Sequence, residues 1–179
     1  MPTIYVDADA CPVKAEVYKV AGRYALPVKV VANNPLRVPA DPSIELVVVL
    51  GFGLADDWIA EAAGPGDIVV TADIPLAARS LEKGALALDM RGRRFTDNDI
   101  GQAMAVRDLM RGLRADGTVG GGPPPMTPKD RSRFLGALDE AVHAARRAAV
   151  RSEPRPSGRV SAGPGPGDPN PPTPGEDGG

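Results

Sequence analysis

Of 179 residues, one is cysteine, one is histidine and one is tryptophan. A single cysteine excludes a disulfide framework. The lone histidine, His143, falls far along the last predicted helix at a position expected to be exposed. That argues against Ser-His catalysis and against metal sites built on histidine. Aromatic residues make up 4%, so Ala, Val and Leu carry most of the apolar load. No apolar run approaches the roughly 20 residues that a membrane span needs. The N-terminus reads straight into a strand, without the basic region and long apolar stretch of a signal peptide. The expectation is a soluble cytoplasmic protein with no membrane partner.

What is present suits one folded domain and a little extra. Hydrophobic residues reach 42%, enough for a sizeable core. The net charge of −2 hides an asymmetry. Residues 1–90 hold seven Lys/Arg against twelve Asp/Glu, or −5, residues 91–151 hold twelve against seven, or +5, and the remainder is −2. An acidic half able to hold a cation beside a basic half able to hold phosphates points toward a nucleotide or nucleic acid. Ordinary solvated surface is the plain alternative.

Strand and helix patterns alternate along the first half. Ile4-Tyr5-Val6 reads as a buried strand and Pro12 as the start of a helix. Val13, Val17, Val20, Ala21 and Tyr24 then share one helical face. Val28–Val31 is a second strand, and Ile44–Leu50 a third. The unbroken run Leu46-Val47-Val48-Val49-Leu50 predicts a strand covered on both faces. A helix over Ala55–Ala63, a strand over Asp67–Thr71, a helix from Ile74 to about Lys83 and a short strand over Ala85–Leu88 follow. This alternation predicts an α/β fold, a three-layer parallel sheet flanked by helices.

Two helices complete the domain. The first is opened by Thr96 with Asp99, resembling a capping box, with Val106, Leu109, Met110 and Leu113 as its expected buried face. The second begins at Thr127 or Pro128 and carries the stripe Phe134, Leu138, Ala141, Val142 and Ala145. The Gly/Pro-rich stretch Gly117–Pro125 between them is expected to be mobile. Residues 1–151 are therefore read as the domain, and 152–179, nearly all Pro, Gly, Ser and small polar residues, as a disordered tail.

The chemistry is expected at the carboxyl ends of the strands, where open parallel sheets bind ligands. Asp7 and Asp9 end the first strand and Asp73 follows the fourth. Asp56 and Asp57 open the helix after the third, and Asp89, after the fifth, is an outer candidate. Carboxylates crowded together repel one another unless a cation sits between them, and hard cations take oxygen ligands. Asp7, Asp9, Asp56, Asp57 and Asp73 are thus candidate ligands for Mg²⁺ or Mn²⁺, with Asp7 and Asp73 also the candidate catalytic pair. The alternative is that Asp7 ties down a turn and Asp9 caps a helix. Such a cluster suits metal-assisted phosphodiester hydrolysis. Thr71 is a candidate partner for a carboxylate or a phosphate. Arg91, Arg93 and Arg94 around a turn, and Arg107, Arg111 and Arg114 along a helix face, are candidate phosphate contacts, with a solvated face as the alternative for each.

Several stretches resemble the signature of the bacterial YaiI/YqxD family. They are Tyr5-Val6-Asp7-Ala8-Asp9-Ala10-Cys11-Pro12-Val13-Lys14, the run from Gly66 to Ala77, Arg91-Gly92 with Phe95-Thr96, and Gly121-Gly122-Pro123 with Asp130-Arg131 and Phe134. The resemblance spans about residues 1–142 and supplies no substrate, because the family is uncharacterised. It implies a fold similar to that of PIN-like nucleases. There an aspartate after the first strand, a helical acid and an aspartate in a Thr-x-Asp element bind Mg²⁺ or Mn²⁺. Asp7, Asp56 or Asp57, and Asp73 after Thr71 take those positions. Many relatives have an acid where this chain has Gly53, a departure that bears on a second metal position.

The expected activity is a divalent-metal-dependent nuclease, with RNA preferred to DNA. Two rivals stand beside it. One is a nucleic-acid-binding or regulatory module without turnover, since fold does not fix function. The other is a haloacid-dehalogenase-like phosphatase with Asp7 as nucleophile, which lacks the usual Thr where Cys11 stands and would need a lysine such as Lys83. Cys11 itself reads as a small helix-start residue rather than a nucleophile, and Trp58 as core rather than as a base-stacking platform.

Overall fold

The computed structural model describes residues 1–9, 11–115 and 124–152, the side chains of 107–108, 111–115 and 150–152 excepted. The elements in chain order are β1 (Ile4–Asp7), α1 (Lys14–Tyr24), β2 (Val28–Ala32), β3 (Ile44–Val48), α2 (Leu54–Ala62), β4 (Ile68–Val70), α3 (Ile74–Glu82), β5 (Leu86–Leu88), α4 (Asp97–Ala115) and α5 (Pro128–Ser152). Of the expected tail, 152–179, all but Ser152, which ends α5, lies outside the described residues, as do residues 117–123 of the stretch expected to be mobile, Gly117–Pro125.

All five strands run parallel in the order β3-β2-β1-β4-β5. Alternate residues of each strand point to opposite faces, and the sequence is apolar at both parities. Ile4 and Val6, Val28 and Val30, and Ile68 and Val70 face α1 and α5, where Val13, Val17, Val20, Phe134, Leu138 and Val142 cover them. Tyr5, Val31 and Val69 face the other way, against Ile59 of α2 and Leu76 of α3. A smaller cluster of Ala77, Ala87 and Phe95, joined by Ile100, fastens α4 beside α3. The three-layer α/β expectation holds.

Caps explain where the helices start. Asp73 accepts a hydrogen bond from the Leu76 backbone N–H (2.9 Å) at the head of α3. At the head of α5, the Asp130 N–H donates to Thr127 Oγ1 (3.1 Å) and the Thr127 N–H to Asp130 Oδ2 (3.0 Å), a reciprocal capping box. The expected Thr96–Asp99 pair forms as well, Thr96 Oγ1 donating to Asp99 Oδ2 at 2.7 Å. Pro12 lies in a turn and α1 begins at Lys14, two residues later than Pro12 suggested. The first bond of that helix, Val17 N–H to Val13 C=O, spans 3.0 Å.

Two expectations are corrected. β3 is an edge strand and only partly covered, so its unbroken apolar run is not buried on both faces as expected. On α4, Val106, Leu109 and Met110 are exposed, not buried, and Met104 joins them, because α4 packs chiefly on α3 through its first turns. Leu113 lies outside the described side chains. No described helix is long and apolar enough to cross a membrane.

Candidate functional site

β1 and β4 are neighbours in the sheet, but their chains depart in opposite directions. From β1 the chain passes through α1 to β2, and from β4 through α3 to β5. The crevice beyond their carboxyl ends is therefore the switch point at which open α/β sheets take ligands. An open cleft of about 410 Å³ lies there, lined by Asp7, Asp9, Asn33, Phe52, Gly53, Asp56, Asp73 and Pro75.

Each acid reaches the cleft by a different local device. Asp7 is the last residue of β1, and the hydroxyl of fully buried Thr71 donates to its Oδ2 at 2.8 Å. The same hydroxyl oxygen accepts the Asp73 backbone N–H at 2.9 Å. Thr71 thus binds a carboxylate and is sealed from any phosphate. Asp73 both caps α3 and lines the cleft. Asp9 does not cap α1: it accepts the Asn33 backbone N–H (3.0 Å) and the Asn33 side-chain amide. Asp56 lines the cleft from the first turn of α2, whereas Asp57, one residue on, pairs with Arg79 of α3 at 2.7 Å. Asp89 accepts the Arg91 and Arg93 backbone N–H groups (2.8 and 2.7 Å) in the turn after β5.

The acids act on one another. Burial, followed by the charges of Asp7, Asp73 and Asp57, pushes the Asp56 carboxyl up to about 6. Burial raises Asp7 as well; the Thr71 hydroxyl opposes the rise, and the charges of Asp9 and Asp73 add to it. This is the pattern of carboxylates short of positive charge. Among the described residues no three of His, Cys, Asp and Glu are placed closely enough to hold a cation between them. The donor set still fits Mg²⁺ or Mn²⁺. All the donors are oxygens, and Mg²⁺ commonly takes only one or two carboxylates and keeps waters on its other positions.

Two of the six expected arginine contacts, Arg91 and Arg93, are engaged elsewhere. Arg91 pairs with Asp130 (2.7 Å) and donates to the Pro124 carbonyl (2.7 Å), tying the turn after β5 to the head of α5. Arg93 pairs with Asp99 at 2.9 Å and, with Ile74, Gln102, Ala103 and Val106, lines a pocket of about 330 Å³. Arg94 is exposed beside its backbone bridge to Leu88. The side chains of Arg107, Arg111 and Arg114 lie outside the described residues.

Other candidates resolve plainly. Cys11 is buried, and burial holds its thiol above the usual range, so it is no thiolate nucleophile. His143 is half-exposed beside Tyr24 (3.1 Å). Trp58 packs against the α2 cluster, tilted on Tyr5 with ring centroids 6.3 Å apart. Lys83 donates to the Glu61 carbonyl (3.0 Å) past the end of α3, at the opposite rim from Asp7, so the phosphatase reading loses its lysine. At Gly53, φ is +74° and an added Cβ would meet nothing within 4 Å. An acid there would have room over the cleft, but the backbone favours glycine.

Three cleft features escaped the sequence reading. Asn33 was visible only as a loop opener; the pairing of Asp7 with Val31 carries it alongside Asp9 two residues on. Lys14 Nζ donates to the carbonyls of Ala8 (3.2 Å) and Cys11 (2.8 Å), bracing the loop that presents Asp9. Phe52 stands fully exposed at the cleft edge.

Comparison with known proteins adds a lineage. The family model described as "Uncharacterized BCR, YaiI/YqxD family" matches residues 5–144. The chain is 60% identical over 140 residues to a UPF0178 protein of Rhodopseudomonas palustris (strain BisB18), covering 78% of this chain and 90% of that one. It is 58% identical over 148 residues to a UPF0178 protein of Paramagnetospirillum magneticum, covering 82% and 98%. A UPF0178 protein of Parvibaculum lavamentivorans is 57% identical over 148 residues, covering 82% and 97%. No solved structure matches the chain.

Proposed function

This chain belongs to the YaiI/YqxD family, and from that premise we propose that its acidic cleft is the site of a divalent-cation-dependent nuclease acting on RNA in preference to DNA. One observation carries the reading. Asp7, Asp56 and Asp73, far apart in sequence, line one cleft at the switch point of the sheet, and burial, reinforced by the charges of neighbouring carboxylates, raises Asp7 and Asp56. The likeness of the Thr71-Ala72-Asp73 element to PIN-like nucleases supports it.

A bound Mg²⁺ or Mn²⁺ supplies Lewis-acid stabilisation of the charge that develops on a phosphodiester. The protein's part is to hold oxygen donors in place. Thr71 fixes one oxygen of Asp7, so the carboxylate that lines the cleft is already ordered before a cation binds. Asp73 is anchored by its cap bond and Asp9 by Asn33. Asp56, whose carboxyl burial and the neighbouring charges push up to about 6, gains from a nearby cation and would hold it through a bound water.

The test is a Mn²⁺ titration with RNA and DNA oligonucleotides of one sequence, comparing wild type with Asp7→Asn and Asp73→Asn. Asn caps a helix as well as Asp does, so the Asp73→Asn protein should unfold near the wild-type temperature. Wild type should cleave RNA only with the cation. Both variants should lose cleavage and about ten-fold or more in Mn²⁺ affinity. Mn²⁺ held as tightly by Asp7→Asn as by wild type would refute the ligand assignment. RNA bound without cleavage and without dependence on Mn²⁺ would favour a binding module.

A further inference from the structure

Phenylalanine occurs three times in the chain. Phe95 and Phe134 are buried in the core, while Phe52 is wholly exposed. Burial is what stabilises an aromatic side chain in a fold, so folding gains nothing from the ring at position 52. Its placement is specific all the same. Phe52 lies between Gly51 (φ +132°) and Gly53 (φ +74°) in the turn entering α2, and it lines the carboxylate cleft with Asp7, Asp56 and Asp73. Leu50 and Leu54 beside it are also exposed. Fully exposed, the ring has both faces open to solvent. The cleft therefore has two chemically different parts, an acidic floor and an apolar, aromatic lip.

A nucleotide has the same two parts: a phosphate that a cation can bridge to carboxylates, and a base with a flat π-face. Within a duplex that face is already stacked on its neighbours, whereas an unpaired base offers it to an aromatic side chain. We propose that Phe52 is the stacking platform for an unpaired base next to the phosphodiester held over the cleft, which makes single-stranded RNA the substrate class. The inference rests on the nuclease reading of the cleft. The alternative occupant of the lip, a second copy of the chain, is an outcome of the test.

The experiment uses the full chain and fluorescence anisotropy in Ca²⁺, chosen to permit binding while slowing cleavage. The probes are a labelled single-stranded RNA, its duplex, and versions with one abasic position moved along the strand. Phe52→Leu keeps apolar bulk without a π-face, and Phe52→Trp keeps the face. Wild type should prefer the single strand and lose affinity when one particular base is missing. Phe52→Leu should bind on the order of ten-fold more weakly and be indifferent to that missing base. Phe52→Trp should keep its affinity, with indole emission quenched by RNA. The inference is overturned if Phe52→Leu matches wild type, if wild type prefers duplex or binds no RNA, or if Phe52→Leu only abolishes self-association. The two readings fail separately. Base-dependent binding without Mn²⁺-dependent cleavage counts against the nuclease alone, and cleavage that Phe52→Leu leaves unchanged, with unchanged binding, counts against the stacking platform alone.

Discussion

At the scale of single residues, Asp56 makes the cleft sensitive to pH. Its carboxyl titrates near 6 in the folded chain, against an ordinary 3.8. Between those values the folded form holds a proton that the unfolded form has lost, so raising the pH across the window removes stability. Asp7 shifts in the same direction. The cation-free protein should therefore melt at progressively lower temperature as the pH rises from about 4 to about 6. Asp56→Asn should flatten that slope, which thermal unfolding in chelator at a series of pH values would measure; an unchanged slope would assign it to other groups. The sequence could nominate Asp7, Asp9 and Asp73 because strand ends are visible in it. It could not choose between Asp56 and Asp57, consecutive acids pointing in different directions on a helix, because the choice is made by Arg79 on another element. Arg91 and Arg93 were equally ambiguous, since Asp130 and Asp99, which take up their charge, are partners found only in the folded chain.

At the scale of elements, the docking of α5 depends on the turn after β5. Gly92 has φ +83°, and a Cβ there would lie 2.9 Å from the Arg133 carbonyl oxygen and 3.0 Å from Phe134 Cα. Gly92→Ala should thus cost roughly 2 kcal/mol or more, combining left-handed backbone strain with the displacement of α5. A lowered urea midpoint with an unchanged m-value would register it, and an unchanged midpoint would mean that the turn yields without disturbing the helix. Periodicity located the helices well, and the α5 stripe from Phe134 to Ala145 is buried as read. The same reasoning failed on α4, whose apolar residues Met104, Val106, Leu109 and Met110 stay exposed. Periodicity finds an apolar face; it does not say whether another element covers it.

At the scale of the whole molecule, alternation of strands and helices was enough for a parallel three-layer α/β fold, but strand order was not legible. The apolar run after Ile44 suggests a strand covered on both faces, yet it forms the edge, because order is decided by which crossovers pack rather than by how apolar a strand is. That position has its own consequence. An edge strand of sequence Ile-Glu-Leu-Val-Val would be a ready template for a further strand from another chain, and Glu45, paired with Lys29 at 2.7 Å, is the one charge interrupting it. Glu45→Val should leave the monomer folded but promote time-dependent light scattering and thioflavin-positive fibrils. A single carboxylate far from the cleft then serves as the gatekeeper against aggregation.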